Sequence, residues 1–331
     1  FLYFYDNEIP RDIDKAIYYY TLAANQNNPN AQCYLGILYL YVCFTSHDIN
    51  KAIFYLSQSA QQNNSRAQCY LGFIYYEGKY VPRNVDWGIS FLTASAEKND
   101  SDAQLFLGII YYYGENIQKD INKSIKYFQL SANQNMSRAK TFLGIIYYEG
   151  IYVKQDIPQS INYLKQAAKL NDEFAQLFLG IIYSDESLND FDISKAIQYL
   201  DLAAKQNNHV AYLNLGYIYY EGRKVRRDIK KATYYFERSA IQNNKDALFY
   251  LGLIYYFGDL GFCDIKKAIH YFTIAAKFNH IHSHFYLGII YLFGNEVPRD
   301  ITKSLYYLKY SADNNDTKAS YFLGQIYYEG I

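Results

Sequence analysis

The 331-residue chain carries no net charge: 32 Lys and Arg balance 32 Asp and Glu, and charged residues make up only 19% of it. Non-specific nucleic-acid binding needs a clustered basic surface that displaces counterions, so no nucleic-acid partner is expected. The one basic knot, Arg223-Lys224-Val225-Arg226-Arg227, reads as a solvated loop. No stretch reaches the roughly 18 consecutive apolar residues of a membrane span, and direct membrane insertion is excluded on that ground. No signal peptide and no initiator methionine are visible. Cysteine is scarce, at Cys33, Cys43, Cys69 and Cys263.

The residues of catalysis are equally thin. No Ser-His-Asp or Cys-His arrangement stands out, and the acidic pair Asp185-Glu186 is a loop feature rather than a general acid and base in a pocket. Loops containing glycine lack the lysine and threonine of a phosphate-binding loop. One cluster could ligate a metal: His280-Ile281-His282-Ser283-His284, with His270 and Cys263 nearby. It occurs once and has no helical ligand spacing, so it reads as a solvated turn with no metal. No cofactor and no enzymatic activity are expected.

What the chain has instead is a repeat. A Leu-Gly pair recurs with its glycine at Gly36, Gly72, Gly108, Gly144, Gly180, Gly216, Gly252, Gly288 and Gly324, each 36 residues after the last. A period in this range means a solenoid whose units pack on their neighbours. Counting from that glycine, position +3 is tyrosine throughout and +19 is always aromatic. Position +12 is Asp12, Asp48, Asp120, Asp156, Asp192, Asp228, Asp264 and Asp300, with Asn84 the one exception. Small residues hold +16, +23 and +24, and asparagine holds +27 from Asn27 to Asn315.

These columns spell two helices per unit. In the unit of Gly144, helix A runs roughly over Ala139–Glu149 and helix B over Ile157–Ala168. Asp156, just before the second apolar run, is placed to cap helix B by accepting its orphan N–H groups. Asn171 follows helix B, where a left-handed residue must end it. The expected fold is all-α, a right-handed superhelical α/α solenoid, with residues 1–331 as a single array of about nine units. Phe1 stands at position +1 of a unit and Ile331 at +7, so the array starts and stops inside a repeat. The expectation is a fragment of a longer protein whose cut ends expose apolar faces and favour self-association. Cys33 and Cys69 share one position in successive units, about 10 Å apart, beyond disulfide reach.

The pattern resembles the Sel-one-like repeat, a relative of the tetratricopeptide repeat. The residues that carry it are the A-x-x-x-L-G-x-x-Y-x-x-G run of Ala139 to Gly150, the Asp-Ile-x-Lys-Ala element at Asp228 to Ala232, and Tyr199 to Asn207. It covers the whole chain. Departures are local: the second glycine is missing at Val42 and Glu186, and Trp87-Gly88 replaces Lys-Ala. The secreted branch of the family staples each unit with a cysteine pair, and here Ala, Asn and Gln stand at those columns. That implies a reduced, cytoplasmic chain. Five Asn-x-Ser/Thr sequons, at Asn63, Asn99, Asn122, Asn135 and Asn315, keep the ER lumen as the alternative.

The resemblance implies a scaffold or adaptor that binds other proteins or peptides. Two further roles follow from it: a lumenal substrate-recruiting subunit of an ER-associated ubiquitin ligase, or the regulatory arm of an enzyme such as a protein kinase. On a 100° wheel, helix A positions −5, −1, +2 and +3 face helix B, while −3, +1 and +4 lie opposite. Position +4 is Tyr76, Tyr112, Tyr148, Tyr220, Tyr256 and Tyr328. One reading packs these rings against neighbouring units. The other lines a concave partner-binding groove with them, since amphipathic rings give contact area at low entropic cost.

Overall fold

The computed structural model describes residues 12–41, 46–294 and 296–330. Those residues form eighteen α-helices. The even-numbered ones are A helices: α2 (Pro29–Tyr41), α4 (Ser65–Glu77), α6 (Ser101–Tyr113), α8 (Ser137–Glu149), α10 (Glu173–Ser184), α12 (His209–Glu221), α14 (Lys245–Phe257), α16 (Ile281–Phe293) and α18 (Thr317–Glu329). The odd-numbered ones are B helices: α1 (Ile13–Asn25), α3 (Ser46–Gln61), α5 (Val85–Ala96), α7 (Ile121–Asn133), α9 (Ile157–Lys169), α11 (Ile193–Lys205), α13 (Ile229–Ala240), α15 (Ile265–Lys277) and α17 (Ile301–Asp313). The chain divides into two compact units, Phe1–Leu170 and Asn171–Ile331. Each is built the same way, with every helix packed against its sequence neighbour.

Helix ends follow from side-chain chemistry. In eight B helices the side chain of the +12 residue accepts the N–H three residues on, as Asp120, Asp156 and Asp228 do at 2.9–3.0 Å. Its own N–H returns to the +3 tyrosine carbonyl, closing the A-to-B loop: Asp156 N to Tyr147 O is 3.0 Å and Asp228 N to Tyr219 O is 2.9 Å. Asp48 departs from the expectation. α3 begins at Ser46, so Asp48 lies in the first turn instead of capping it, where its charge still faces the positive helix end. All nine +27 asparagines are left-handed, with φ between +58° and +66°.

The glycine column lets the paired helices approach closely. A β-carbon on Gly144 would stand 2.5 Å from Leu164 Cγ, and one on Gly252 would stand 2.4 Å from Phe272 Cε1. Both partners, at position +20, are fully buried. Helices usually end A-to-B through a left-handed glycine such as Gly150 at φ +63°. α10 instead ends on an extended Asp185, the local consequence of Glu186 standing where glycine would. Val42 and Cys43 lie outside the described residues. Cys33 and Cys69 are buried, and burial pushes the Cys33 thiol up to about 12.

Candidate functional site

The tyrosines at +3 are part of the fold. Each of eight stacks on the +19 ring of its own unit, at 5.7–6.1 Å between centroids and 3–13° between planes. A feature the sequence columns did not reveal completes the stack. Lys51, Lys123, Lys195, Lys231, Lys267 and Lys303 each place their ammonium 4.8–5.5 Å from the centroid of the +3 ring. Several of these lysines also pair with the capping aspartate, Lys195 with Asp192 at 2.8 Å. The Lys of the Asp-Ile-x-Lys element therefore bridges cap and ring. Where Trp87 replaces it, the indole meets Tyr75 edge-on at 5.3 Å.

The +4 tyrosines occupy a different place. Tyr76, Tyr112, Tyr148, Tyr220 and Tyr256 are half-buried, whereas Tyr328 is 93% exposed. Three of the half-buried rings lean on the next A helix. Tyr112 meets Phe142 edge-on at 5.9 Å, Tyr220 meets Tyr250 at 5.3 Å, and Tyr256 meets Tyr286 at 5.4 Å. Their outer faces carry cations: Arg83 over Tyr76, Lys119 over Tyr112 and Arg227 over Tyr220, at 5.2–5.4 Å. Arg83 and Arg227 also donate to the carbonyl of the same tyrosine, satisfying a helix C-terminal acceptor. The Tyr112 hydroxyl bonds Glu149 at 3.2 Å, and burial together with that carboxylate pushes it up to about 12.

One position further on, the A helices end on side chains that face solvent. Tyr41, Tyr113, Phe257 and Phe293 are 54–58% exposed at +5, and Glu77, Glu149 and Glu221 take the same position elsewhere. In the first unit a cleft of about 290 Å³ opens between α4 and α6, lined by Phe73, Tyr76, Phe106, Ile109 and Tyr113 with exposed Glu77 and Glu115 beside them. Phe73 and Phe106 pack against each other in its wall, their ring centroids 5.1 Å apart. Tyr76 at +4 and Tyr113 at +5 both border this apolar slot with its two acids.

At the opposite edge of each unit the left-handed asparagines belong to amide ladders. Gln62 Nε2 donates to Asn27 Oδ1 at 2.9 Å and to Gln32 Oε1 at 2.7 Å. Gln206 Nε2 makes the same pair with Asn171 and Gln176 at 3.3 and 2.9 Å. Lys98 fills that role against Asn63 and Gln68, both at 3.1 Å. The sequon asparagines Asn63, Asn99, Asn122, Asn135 and Asn315 are all exposed.

The histidine cluster is not a solvated turn. His280 and His284 are buried, at 9% and 6% exposure, and only His282 reaches solvent. His280 takes the N-cap position of α16, its Nδ1 accepting the Ser283 N–H at 3.2 Å, and its ring packs 4.4 Å from Phe249. His284 stacks on Tyr310 at 3.8 Å. The apolar surroundings of Phe249 and Tyr310 explain the burial. Among the described residues no three His, Cys, Asp or Glu side chains are placed to hold a metal ion. None of the described helices is long and apolar enough to cross a membrane.

This geometry defines a tandem helix-pair repeat protein with an all-α architecture. The Sel1 repeat profile matches residues 1–28, 29–64, 65–100, 101–136, 137–172, 174–208, 209–244, 245–278, 281–316 and 317–331, and the chain belongs to the Sel1 repeat family. A protective antigen of uropathogenic Escherichia coli strains displaying an SLR fold is 27% identical; the match covers 95% of this chain and 67% of that one, with a TM-score of 0.83. A Sel1 repeat protein from Oxalobacter formigenes is 24% identical, over 96% of this chain and 91% of that one, with a TM-score of 0.70. No curated protein matches. Sel1 repeats in general form non-catalytic scaffolds for protein interaction.

Proposed function

We propose that this protein is a scaffold that holds partner proteins or peptides against the face of its A helices turned away from the B helices. The observation that carries the reading is the slot between α4 and α6, where seven apolar and aromatic side chains converge beside Glu77 and Glu115. A solvated helix face would be polar there. Rigid aromatic anchors in a concavity with a polar rim are the usual ingredients of an interaction hot spot. Tyr76 borders this slot; Tyr112, Tyr148, Tyr220, Tyr256 and Tyr328 hold the same repeat position in their own repeats and are proposed to serve the equivalent role there, while the exposed +5 rings supply the free contact area. The two acids favour a peptide with an apolar anchor next to Lys or Arg.

The test is a random peptide library selected on the purified protein, followed by titration of the recovered peptide. Peptides enriched in an apolar residue beside a cation, displaced by Tyr113→Ala, would support this face as the binding surface. Recovered peptides whose binding is insensitive to Tyr113→Ala and Phe73→Ala would move the site elsewhere.

A further inference from the structure

A second surface lies on the loop between α12 and α13, in the second unit. Residues 223–231 hold six cations, Arg223, Lys224, Arg226, Arg227, Lys230 and Lys231, against the single carboxylate of Asp228. The equivalent segment 151–159 holds one cation, and 295–303 holds two cations against two acids. Four of these charges, Arg226, Arg227, Lys230 and Lys231, border a cleft of about 650 Å³ together with Tyr219, Val225, Leu260 and the carboxylates of Asp228 and Asp259, while Arg223 and Lys224 face a neighbouring pocket. That volume is in the range of clefts that take ligand-sized groups.

Four of the cations are engaged within the chain. Arg223 pairs with Glu221 at 3.2 Å, Lys224 with Glu186 at 3.4 Å, and Arg227 with Asp259 at 3.0 Å. Lys231 sits over the Tyr219 ring at 4.8 Å. Arg226 and Lys230 are exposed and have no ion-pair partner among the described residues. Exposed pairs of this kind are worth about 0–1 kcal/mol and are readily exchanged. The cleft thus offers two free cations, Arg226 and Lys230, two engaged ones, Arg227 and Lys231, and apolar lining from Val225, Leu260 and Tyr219.

We propose that this cleft docks a short acidic segment of a partner protein, with carboxylates on Arg226 and Lys230 and an apolar side chain on Val225 and Leu260. A nucleic acid fits it worse. A phosphate backbone follows a continuous basic stripe, and here the flanking loops turn acidic, with Asp185, Glu186 and Asp190 on one side and Asp259 and Asp264 on the other. This surface is separate from the A-helix slot and does not depend on it.

The probe is a fluorescein-labelled peptide of aspartate and glutamate around one leucine, titrated by anisotropy against the full chain. The expected result is saturable binding, weakened as ionic strength rises from about 0.01 M to about 0.15 M and the screening length falls from ~30 Å to ~8 Å. Arg226→Glu with Lys230→Glu should weaken it by at least about tenfold. The pair Arg226→Gln with Lys230→Gln, which adds no like charge, should show a smaller loss at an unchanged melting temperature. Lys266→Glu, in the first turn of α15, should change nothing. The proposal is overturned by absence of saturation at low salt, by a glutamine-for-acid peptide that binds as tightly, or by charge reversal without effect. A single-stranded oligonucleotide that binds more tightly than the peptide through the same two cations would overturn it as well.

Discussion

The close approach of paired helices can be tested by one methyl group placed in two contexts. In α14 a β-carbon on Gly252 would lie 2.4 and 2.5 Å from Phe272 Cε1 and Cδ1. Phe272 is fully buried and hemmed by Phe249, Tyr256 and Tyr286, with ring centroids 5.9, 6.4 and 5.2 Å away. The ring has no free direction, so Gly252→Ala must push α14 and α15 apart or force an off-rotamer side chain. Overpacking of this kind costs typically about 1–3 kcal/mol, and the gain in helix propensity from glycine to alanine returns only about 1 kcal/mol. Net destabilisation of up to about 2 kcal/mol is expected. Gly324 in α18 is the contrast: a β-carbon there meets nothing within 4 Å, so Gly324→Ala should stabilise its helix by up to about 1 kcal/mol. Repeat arrays do not always unfold in one step. The readout is therefore hydrogen exchange of the α14, α15 and α18 amides as well as the melt. Equal protection changes of one sign in both variants would refute the argument that the glycine column exists for helix approach.

Other consequences are independent. Asn171→Ala should cost about 1–2 kcal/mol because alanine in a left-handed conformation is strained. Asn171→Gly should cost less, losing only the bonds from Gln176 and Gln206; urea unfolding of the two separates backbone from amide. His280 titrates at about 4, held below its ordinary 6.5 first by burial and then by His282. Asp246, 3.5 Å away, is too exposed to reverse this. A histidine kept neutral in the folded state stabilises fully above about 6.5, and that stability is lost as pH falls towards 4, by at most roughly 3 kcal/mol. His280→Asn, the cap residue at Asn208 and Asn244, should flatten the melting temperature across that range. Tyr147→Ala removes the ring stacked 6.0 Å from Tyr163 and should loosen α8 and α9 by up to about 3–5 kcal/mol in thermal unfolding.

The columns that were legible in the sequence are those set by backbone and by one partner. Asp156 caps a helix, Asn171 ends one, and Gly144 lies against Leu164, so each repeats whatever surrounds it. The less legible features depend on pairs about 30 residues or more apart, as in the Gln62–Asn27 ladder or the Tyr112–Glu149 bond. Tyr112 illustrates the limit. A helical wheel puts it opposite helix B, but only the position of Phe142 on the next A helix reveals that its ring is half covered. The histidines differ from the sequence expectation for the same reason: their polarity suggests solvent, while Phe249 and Tyr310 pack against His280 and His284. Asp48 shows that a cap column can shift when a helix starts early.

The scaffold reading rests on the A-helix face, and two equally exposed rings test it most directly. Tyr113 on α6 borders the apolar slot and is 55% exposed; Phe54 on α3, a B helix, is also 55% exposed. Each alanine variant should change stability by no more than about 1 kcal/mol. Calorimetric titration of a library-selected peptide should show affinity reduced at least about tenfold, or ~1.4 kcal/mol, by Tyr113→Ala and unchanged by Phe54→Ala. Loss of binding in Phe54→Ala with full binding in Tyr113→Ala would place the partner on the B helices and contradict the account.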